Sequence, residues 1–310
     1  MVRGVRKMKS ITNKQNRIKG CFSDKVFDVL NTTLLFLILV MVGYPLLIVI
    51  SSSFSSAEAL LAGKVWLFPI DATLAGYQAV IKHRQIWSGI YNSVFYTVVG
   101  TVINMVITVL AAYPLARKDF APRKFLSLMF AFTMWFHGGL IPTYILVRDL
   151  GLYNTRWALI IPSALNVWNM VIVRTYFQNS IPESLFESAK LDGCDDVTYL
   201  LKIALPLSVP TLAVVTLYYA VAHWNVFQSA YIYIQNQALQ PLQIVLREIL
   251  LLSKMQEVSV EITSGEVNAQ QMSELLKYSL VIVASIPMVI LYFFVQKHFT
   301  KGIMVGSVKG

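Results

Sequence analysis

Six long gaps between charged residues are the feature that most limits how this chain can fold. No Asp, Glu, Lys or Arg occurs between Asp28 and Glu58, and five further gaps of this kind follow along the chain. A helix needs about 20 apolar residues to cross the roughly 30 Å hydrocarbon core of a membrane, so each gap can hold one span. The predicted spans are residues 30–52, 89–113, 125–147, 157–177, 206–231 and 278–297.

Composition supports a membrane location over a soluble helical core. The 310 residues are 56% hydrophobic and 14% charged, with a mean hydropathy of +0.61, whereas a soluble domain has about 25% charged residues. Helices of a soluble core have one charged face, and the six windows have none. We therefore predict an all-α polytopic membrane protein. The first window exceeds the 7–15 apolar residues of a signal peptide and no cleavage site follows it directly, although a signal anchor has the same appearance.

The distribution of basic residues predicts the orientation. With the amino terminus inside, the cytoplasmic segments hold 18 of the 26 Lys and Arg residues and the outer segments hold 8, as the positive-inside rule requires. Six spans then place both termini in the cytoplasm. We expect a basic segment (1–29), a permease domain (30–297) with a cytoplasmic loop at 178–205, and a tail (298–310). The net charge of +10 comes from basic residues at the membrane boundaries, and nucleic-acid binding is a poor explanation for it.

Several kinds of chemistry find no support in the residues. The phosphate-binding pattern GxxxxGK[ST] is absent, and neither Cys21 nor Cys194 has metal-ligand spacing. No Asp, Glu, Lys or Arg lies well inside a window, and proton or sodium coupling needs such groups. The chain also lacks the HExxH and GxSxG motifs that would favour an intramembrane enzyme. A non-enzymatic transport subunit, with no cofactor of its own, is favoured over an ion-coupled carrier.

The loop after the fourth window carries the most informative pattern. Residues 180–210 read SIPESLFESAKLDGCDDVTYLLKIALPLSVP, which is too polar to span a membrane and rich in helix formers. Leu185, Phe186 and Ala189 form an apolar edge at helical spacing. Gly193 is a candidate helix end. Asp195 and Asp196 are candidate caps for a second helix that stops before Pro206. The pattern predicts a helix–turn–helix on the cytoplasmic surface; an amphipathic connector on lipid headgroups fits it equally.

A resemblance separates these two interpretations. The loop contains Glu187-Ser188-Ala189, then Gly193 after three residues, Ile203 after nine more, and Leu205-Pro206 after one more. This pattern is similar to the EAA motif of binding-protein-dependent ABC importer permeases. Every spacing agrees, and Ser188 stands where the family usually has Ala. Leu191-Asp192-Gly193 and residues 136–143, 151–155 and 223–225 resemble the carbohydrate branch, which imports oligosaccharides and polysaccharide fragments and includes the second permease subunit of maltose-type transporters.

The resemblance implies a type I importer permease and a set of partners. These are a second homologous permease subunit, two copies of a cytoplasmic ABC ATPase that binds ATP and Mg²⁺, and an extracytoplasmic solute-binding protein, in a bacterial cytoplasmic membrane with its lipid. It also implies that the loop is a coupling helix seated in a cleft of the ATPase. Its expected contact residues are Leu185, Phe186, Glu187, Ser188, Ala189, Asp192, Gly193, Ile203, Leu205 and Pro206.

Polar and aromatic residues inside the windows are candidates for the transport path. Sugars stack on aromatic rings and bond to amides, and the residues of this chemistry are His137, Asn166, Trp168, Asn169, His223, Trp224, Asn225 and Gln228. The alternative is structural, because Trp gathers at membrane interfaces and buried Asn or His joins helices. Alternatively, the second permease subunit makes most or all of the contacts with the sugar. An oligosaccharide is the expected cargo, with a non-sugar solute as the alternative.

Overall fold

The computed structural model describes residues 22–258 and 264–306, and every regular element in those two ranges is a helix. The helices of the first half are α1 (Phe22–Ser53), α2 (Ala57–Leu61), α3 (Ala75–Lys82), α4 (Arg84–Ala116), α5 (Arg123–Trp135), α6 (Leu140–Asp149), α7 (Trp157–Ile160) and α8 (Val167–Ser180). Those of the second half are α9 (Glu183–Leu191), α10 (Asp196–Tyr199), a π-helical turn (Leu200–Ala204), α11 (Leu205–Leu207), α12 (Val209–Trp224), α13 (Gln228–Tyr233), a 3₁₀ turn (Gln237–Leu239), α14 (Leu242–Val258) and α15 (Ser264–Gly306).

Parts of the predicted terminal segments lie outside these ranges. Residues 1–21, with Cys21, belong to the predicted basic segment, and residues 307–310 end the predicted tail. The chain divides into two compact units, Met1–Ile48 and Val49–Gly310. The described part of the first unit is the α1 stretch from Phe22 to Ile48, an apolar helix whose side chains are exposed almost throughout. All other elements belong to the second unit.

Three of the six predicted spans are unbroken apolar helices. The segments Ser23–Ser53 of α1, Arg84–Ala116 and Gln271–Gln296 of α15 are long and apolar enough to cross a membrane. They contain the windows 30–52, 89–113 and most of 278–297. The apolar run at residues 241–252 lies at the start of α14.

The other three windows are interrupted by breaks in the helix. Window 125–147 divides into α5 and α6, which meet at 115° across a break where Gly139 has a φ of +87°. Window 157–177 divides at residues 161–166, where Pro162 removes a backbone donor. Window 206–231 divides at Asn225, between α12 and α13. Two bent pairs, Arg123–Trp135 with Leu140–Asp149 and Asp196–Leu207 with Val209–Trp224, are together apolar enough to be one span each, so the described residues hold up to five spans.

Helix α4 forms the centre of the second unit. Six of its buried positions recur every four residues and form a row that winds slowly around the helix. These positions are Asn92, Tyr96, Gly100, Asn104, Thr108 and Ala112. Helices α12, α8 and α14 pack against α4. Gly100 allows the closest approach, because a Cβ atom there would lie 2.5 Å from the His223 ring. Small residues of this kind let membrane helices pack tightly.

Candidate functional site

Helix α9 carries the first half of the predicted coupling loop and ends at Gly193. The Cys194 amide donates to the Ala189 carbonyl at 2.9 Å and the Gly193 amide donates to the Lys190 carbonyl at 3.1 Å. With the φ of +78° at Gly193, these bonds form a Schellman motif. The left-handed conformation favours glycine. The predicted helix end at Gly193 is therefore confirmed, and the turn aims the chain into α10.

The second helix of the loop begins at the predicted cap. The Asp195 carboxylate accepts a hydrogen bond from the Thr198 amide at 3.2 Å, and the bonds to Thr198 hold the pKa of Asp195 below its usual value. This cap is strongest above the ordinary Asp pKa and weakens as the pH falls through the lowered pKa. The helix was expected to stop before Pro206. Instead the π-helical turn and α11 carry it to Leu207, because the ring of Pro206 lies at the start of α11, where its missing N–H is tolerated.

Two residues of the apolar edge of α9 point into the protein. Phe186 and Ala189 are buried. The Phe186 ring meets the Tyr199 ring edge-on, with centroids 5.0 Å apart, and the Arg117 guanidinium carbon lies 3.2 Å from the Phe186 centroid. Both residues pack within their own chain, and the prediction that they contact the ATPase stays a prediction.

The residues of α9 that remain at the surface define a second face. Glu187, Ser188, Asp192 and Gly193 are exposed, as is Leu185 at the edge. Leu191 is 89% exposed, which is unusual for a leucine in a folded helix. Farther along, Pro206 is exposed while Ile203 and Leu205 are half-buried. We call Glu187, Ser188, Leu191, Asp192 and Gly193 the docking face.

Residues after α4 hold the inner side of the loop. Lys118 forms an ion pair with Glu183 of α9. Arg117 donates to the Asp119 carboxylate at 3.3 Å; burial alone raises the pKa of Asp119, and the bond and charge of Arg117 outweigh this and lower it. Arg123 donates to the Arg117 carbonyl at 3.2 Å. The sequence assigned no role to these residues, and the signal for them is the basic run directly after the second window.

Two of the candidate path residues serve as helix contacts. His223 and Trp224 are buried: His223 Nε2 lies 2.7 Å from Asn104 Oδ1, and Trp224 Nε1 donates to the Ala284 carbonyl at 3.0 Å. These two contacts match the structural alternative considered for the candidate path, in which polar side chains join helices. Asn169 is also buried, and its backbone amide donates at 3.1 Å to the side-chain oxygen of Asn166, which caps α8.

The remaining path residues are exposed but do not form one cluster. His137 lies in the break between α5 and α6, beside Trp135, which is 90% exposed. Trp168 at the start of α8 is also exposed. Asn225 and Gln228 flank the break between α12 and α13. Exposed aromatic residues in broken helices are available to a ligand or to a partner subunit.

The contact between His223 and Asn104 leads to a prediction on stability. We expect Asn104→Ala to lower the stability of the purified protein by about 1 kcal/mol, because His223 and the Ser163 carbonyl, which accepts from Asn104 at 2.5 Å, lose their partner. Thermal unfolding in detergent measures the change. Trp168→Ala, at an exposed position, is the control, and a double-mutant cycle with His223→Ala isolates the pair. An unchanged melting temperature in Asn104→Ala contradicts the prediction.

The broken apolar helices and the helix–turn–helix beside them define the class of protein, a polytopic transport subunit. The chain belongs to the family described as binding-protein-dependent transport system inner membrane components, and the match covers residues 86–305. The chain is therefore a membrane permease subunit of an ABC importer and not an enzyme. ABC importers of this family work with a partner permease, an ATPase and a binding protein. The family assignment inferred from the EAA spacing is confirmed.

The similarity to known permeases extends over nearly the whole chain. The polygalacturonan/rhamnogalacturonan transport system permease protein YtcP of Bacillus subtilis is 40% identical over 288 residues, which are 93% of this chain and 99% of that protein. Protein LplC of the same organism is 40% identical over 92% of this chain and 96% of its own length. A chain of a bacterial ABC transporter that imports the acidic polysaccharide alginate has the same fold, with a TM-score of 0.81 and 32% identity over 90% of this chain and 99% of that chain.

Proposed function

We propose that this chain is one transmembrane half of an ATP-driven importer of oligosaccharides. The observation that supports it most is the docking face on α9, whose residues stand at the EAA spacing and stay exposed beside a buried anchor at Phe186. The names of the relatives support carbohydrate as the cargo: YtcP is named for polygalacturonan and rhamnogalacturonan, and the structural relative for alginate.

In this proposal the chain spans the membrane six times with both termini in the cytoplasm. The six windows correspond to α1, α4, the α5–α6 pair, the α7–α8 pair, α12 and α15. Half of them are broken, and irregular backbone at membrane depth is tolerated where protein covers it or where it lines a cavity. The broken spans are thus the natural walls of a path shared with a second permease subunit.

The proposed assembly places each reaction on a different chain. Two ATPase copies bind ATP and Mg²⁺ and hydrolyse ATP, and this chain receives the motion through the docking face. The Lys118–Glu183 ion pair and the contact between Arg117 and Phe186 link α9 to the end of α4. A tilt of α9 therefore moves α4, which packs on α8 and α12. A solute-binding protein delivers the oligosaccharide from the outer side.

Uptake by the reconstituted complex tests the proposal. The chain is coexpressed with its second permease, ATPase and solute-binding protein, and the complex is placed in liposomes with ATP inside. We expect uptake of radiolabelled oligosaccharides that requires both ATP and the binding protein and persists when an ionophore removes ion gradients. Uptake that stops with the ionophore, or a complex that takes up amino acids or peptides and no saccharide, contradicts the proposal.

A further inference from the structure

An arginine that lies over two aromatic rings is outside the coupling loop and the candidate path. Arg247 of α14 has its guanidinium carbon 4.3 Å from the Tyr231 ring centroid and 5.1 Å from that of Phe227. The two rings stack on each other at 6.0 Å. In the part of the chain that the structure describes, the Arg247 guanidinium has no hydrogen-bond acceptor and no ion-pair partner. Ring faces fix its plane, so its five N–H donors stay available.

The surface beside this arginine is a groove of suitable size and chemistry for one sugar ring. It has a volume of about 210 Å³, and its lining includes Tyr231, Gln240, Ile244, Arg247 and Glu248. Tyr231 is 62% exposed. An exposed aromatic ring binds the apolar face of a sugar, an amide bonds its hydroxyls, and a planar guanidinium pairs with a carboxylate through two parallel hydrogen bonds.

The groove and the coupling loop lie at opposite ends of α12. The loop precedes Val209, whereas Phe227 and Tyr231 follow Trp224. The 16 residues of α12 correspond to about 24 Å of helix. With the loop on the cytoplasmic side, the groove faces outward, toward the side from which the cargo arrives.

Other arginines at this end already have polar partners. Arg148 pairs with the Asp149 carboxylate at 3.1 Å, and Arg156 donates to Asn92 Oδ1 at 3.2 Å. Among the residues that the structure describes, Arg247 thus differs from both in having only ring contacts. Glu248 adds a carboxylate to the same groove, which weakens the attraction for anions in general and leaves the directed donors of Arg247 as the source of selectivity.

We infer that the groove beside Arg247 binds the carboxylate of an acidic sugar residue as the oligosaccharide enters the permease. The inference rests on the proposed function, since it names the chemical class of the cargo. Arg247 supplies the paired donors, and Tyr231 supplies the stacking surface. A neutral sugar residue would use the ring and leave the guanidinium unpaired, so the site discriminates by charge.

Two probes that differ only in charge test this inference. The full complex is reconstituted with binding protein saturated with trigalacturonate or with its methyl ester. We expect Arg247→Gln to reduce trigalacturonate uptake about tenfold, as the loss of a charge-assisted bond implies, and to leave uptake of the ester unchanged. Arg247→Lys should retain part of the activity. Arg148→Gln is the matched control at the same end, and Glu248→Gln should not reduce trigalacturonate uptake.

The possible results separate the inference from the proposed function. Unchanged ester uptake shows that Arg247→Gln folds and assembles. Equal loss of both probes overturns the inference and points instead to docking of the solute-binding protein at Arg247. A wild-type complex that imports the ester or a neutral trisaccharide and rejects trigalacturonate also overturns it, while the proposed function stands. A wild-type complex that imports no saccharide contradicts the proposed function itself.

Discussion

Charge reversal at the docking face is expected to disconnect the chain from its ATPase. We predict that Glu187→Lys reduces ATP-dependent uptake about 30-fold or more, because breaking a desolvated charge pair at an interface costs about 2–5 kcal/mol. Glu187 is exposed and has no ion-pair partner in the part of the chain that the structure describes, so a partner protein is the available source of a cation. Copurification of the ATPase and uptake in liposomes measure the effect.

Two further variants define the outcome for Glu187. Leu191→Asp should act in the same direction, because Leu191 is 89% exposed on the same face and its burial against a partner would be lost. Asp149→Lys reverses a charge at the last residue of α6, far along the chain from α9, and should leave copurification intact. Normal uptake together with normal copurification in Glu187→Lys refutes the docking role of this face.

The sequence predicted the elements whose causes are local. Charge-free windows predicted α1, α4 and α15 because desolvation of a charge acts on each residue separately. The cap at Asp195 and the turn at Gly193 followed from the chemistry of single side chains, and both are confirmed by their hydrogen bonds. The family followed from fixed spacing in one cytoplasmic loop.

What the sequence could not predict depends on which helices meet. Periodicity identifies the apolar edge at Phe186 but not the residues that pack on it, which include Tyr199 and Arg117. His223 appears in the sequence as a possible sugar ligand. Only the approach of α4 at Gly100 brings Asn104 to it and turns the histidine into a helix contact. The interrupted windows likewise depend on tertiary contacts that satisfy the free backbone groups.

The turn at Gly193 is expected to be the most sensitive single position of the loop. We predict that Gly193→Val reduces uptake more than tenfold, because its φ of +78° is costly for a β-branched residue, about 1–3 kcal/mol. A Cβ atom there would meet nothing within 4 Å, so the cost comes from the backbone and not from a clash. Relief of the strain redirects α10 relative to α9 and displaces the docking face. Uptake and ATPase activity of the reconstituted complex are the measurements.

Matched substitutions separate a coupling defect from general strain. Gly193→Asn should stay near wild type, because asparagine tolerates the left-handed region. Gly63 has a similar φ of +63° and also has nothing within 4 Å of a Cβ atom. It lies in the predicted outer segment between the first and second windows. Gly63→Val therefore imposes the same strain away from the loop and should preserve coupling. If Gly63→Val and Gly193→Val lose uptake equally, the turn has no special role; if only Gly193→Val loses uptake while ATP hydrolysis continues, the turn transmits the motion of the ATPase.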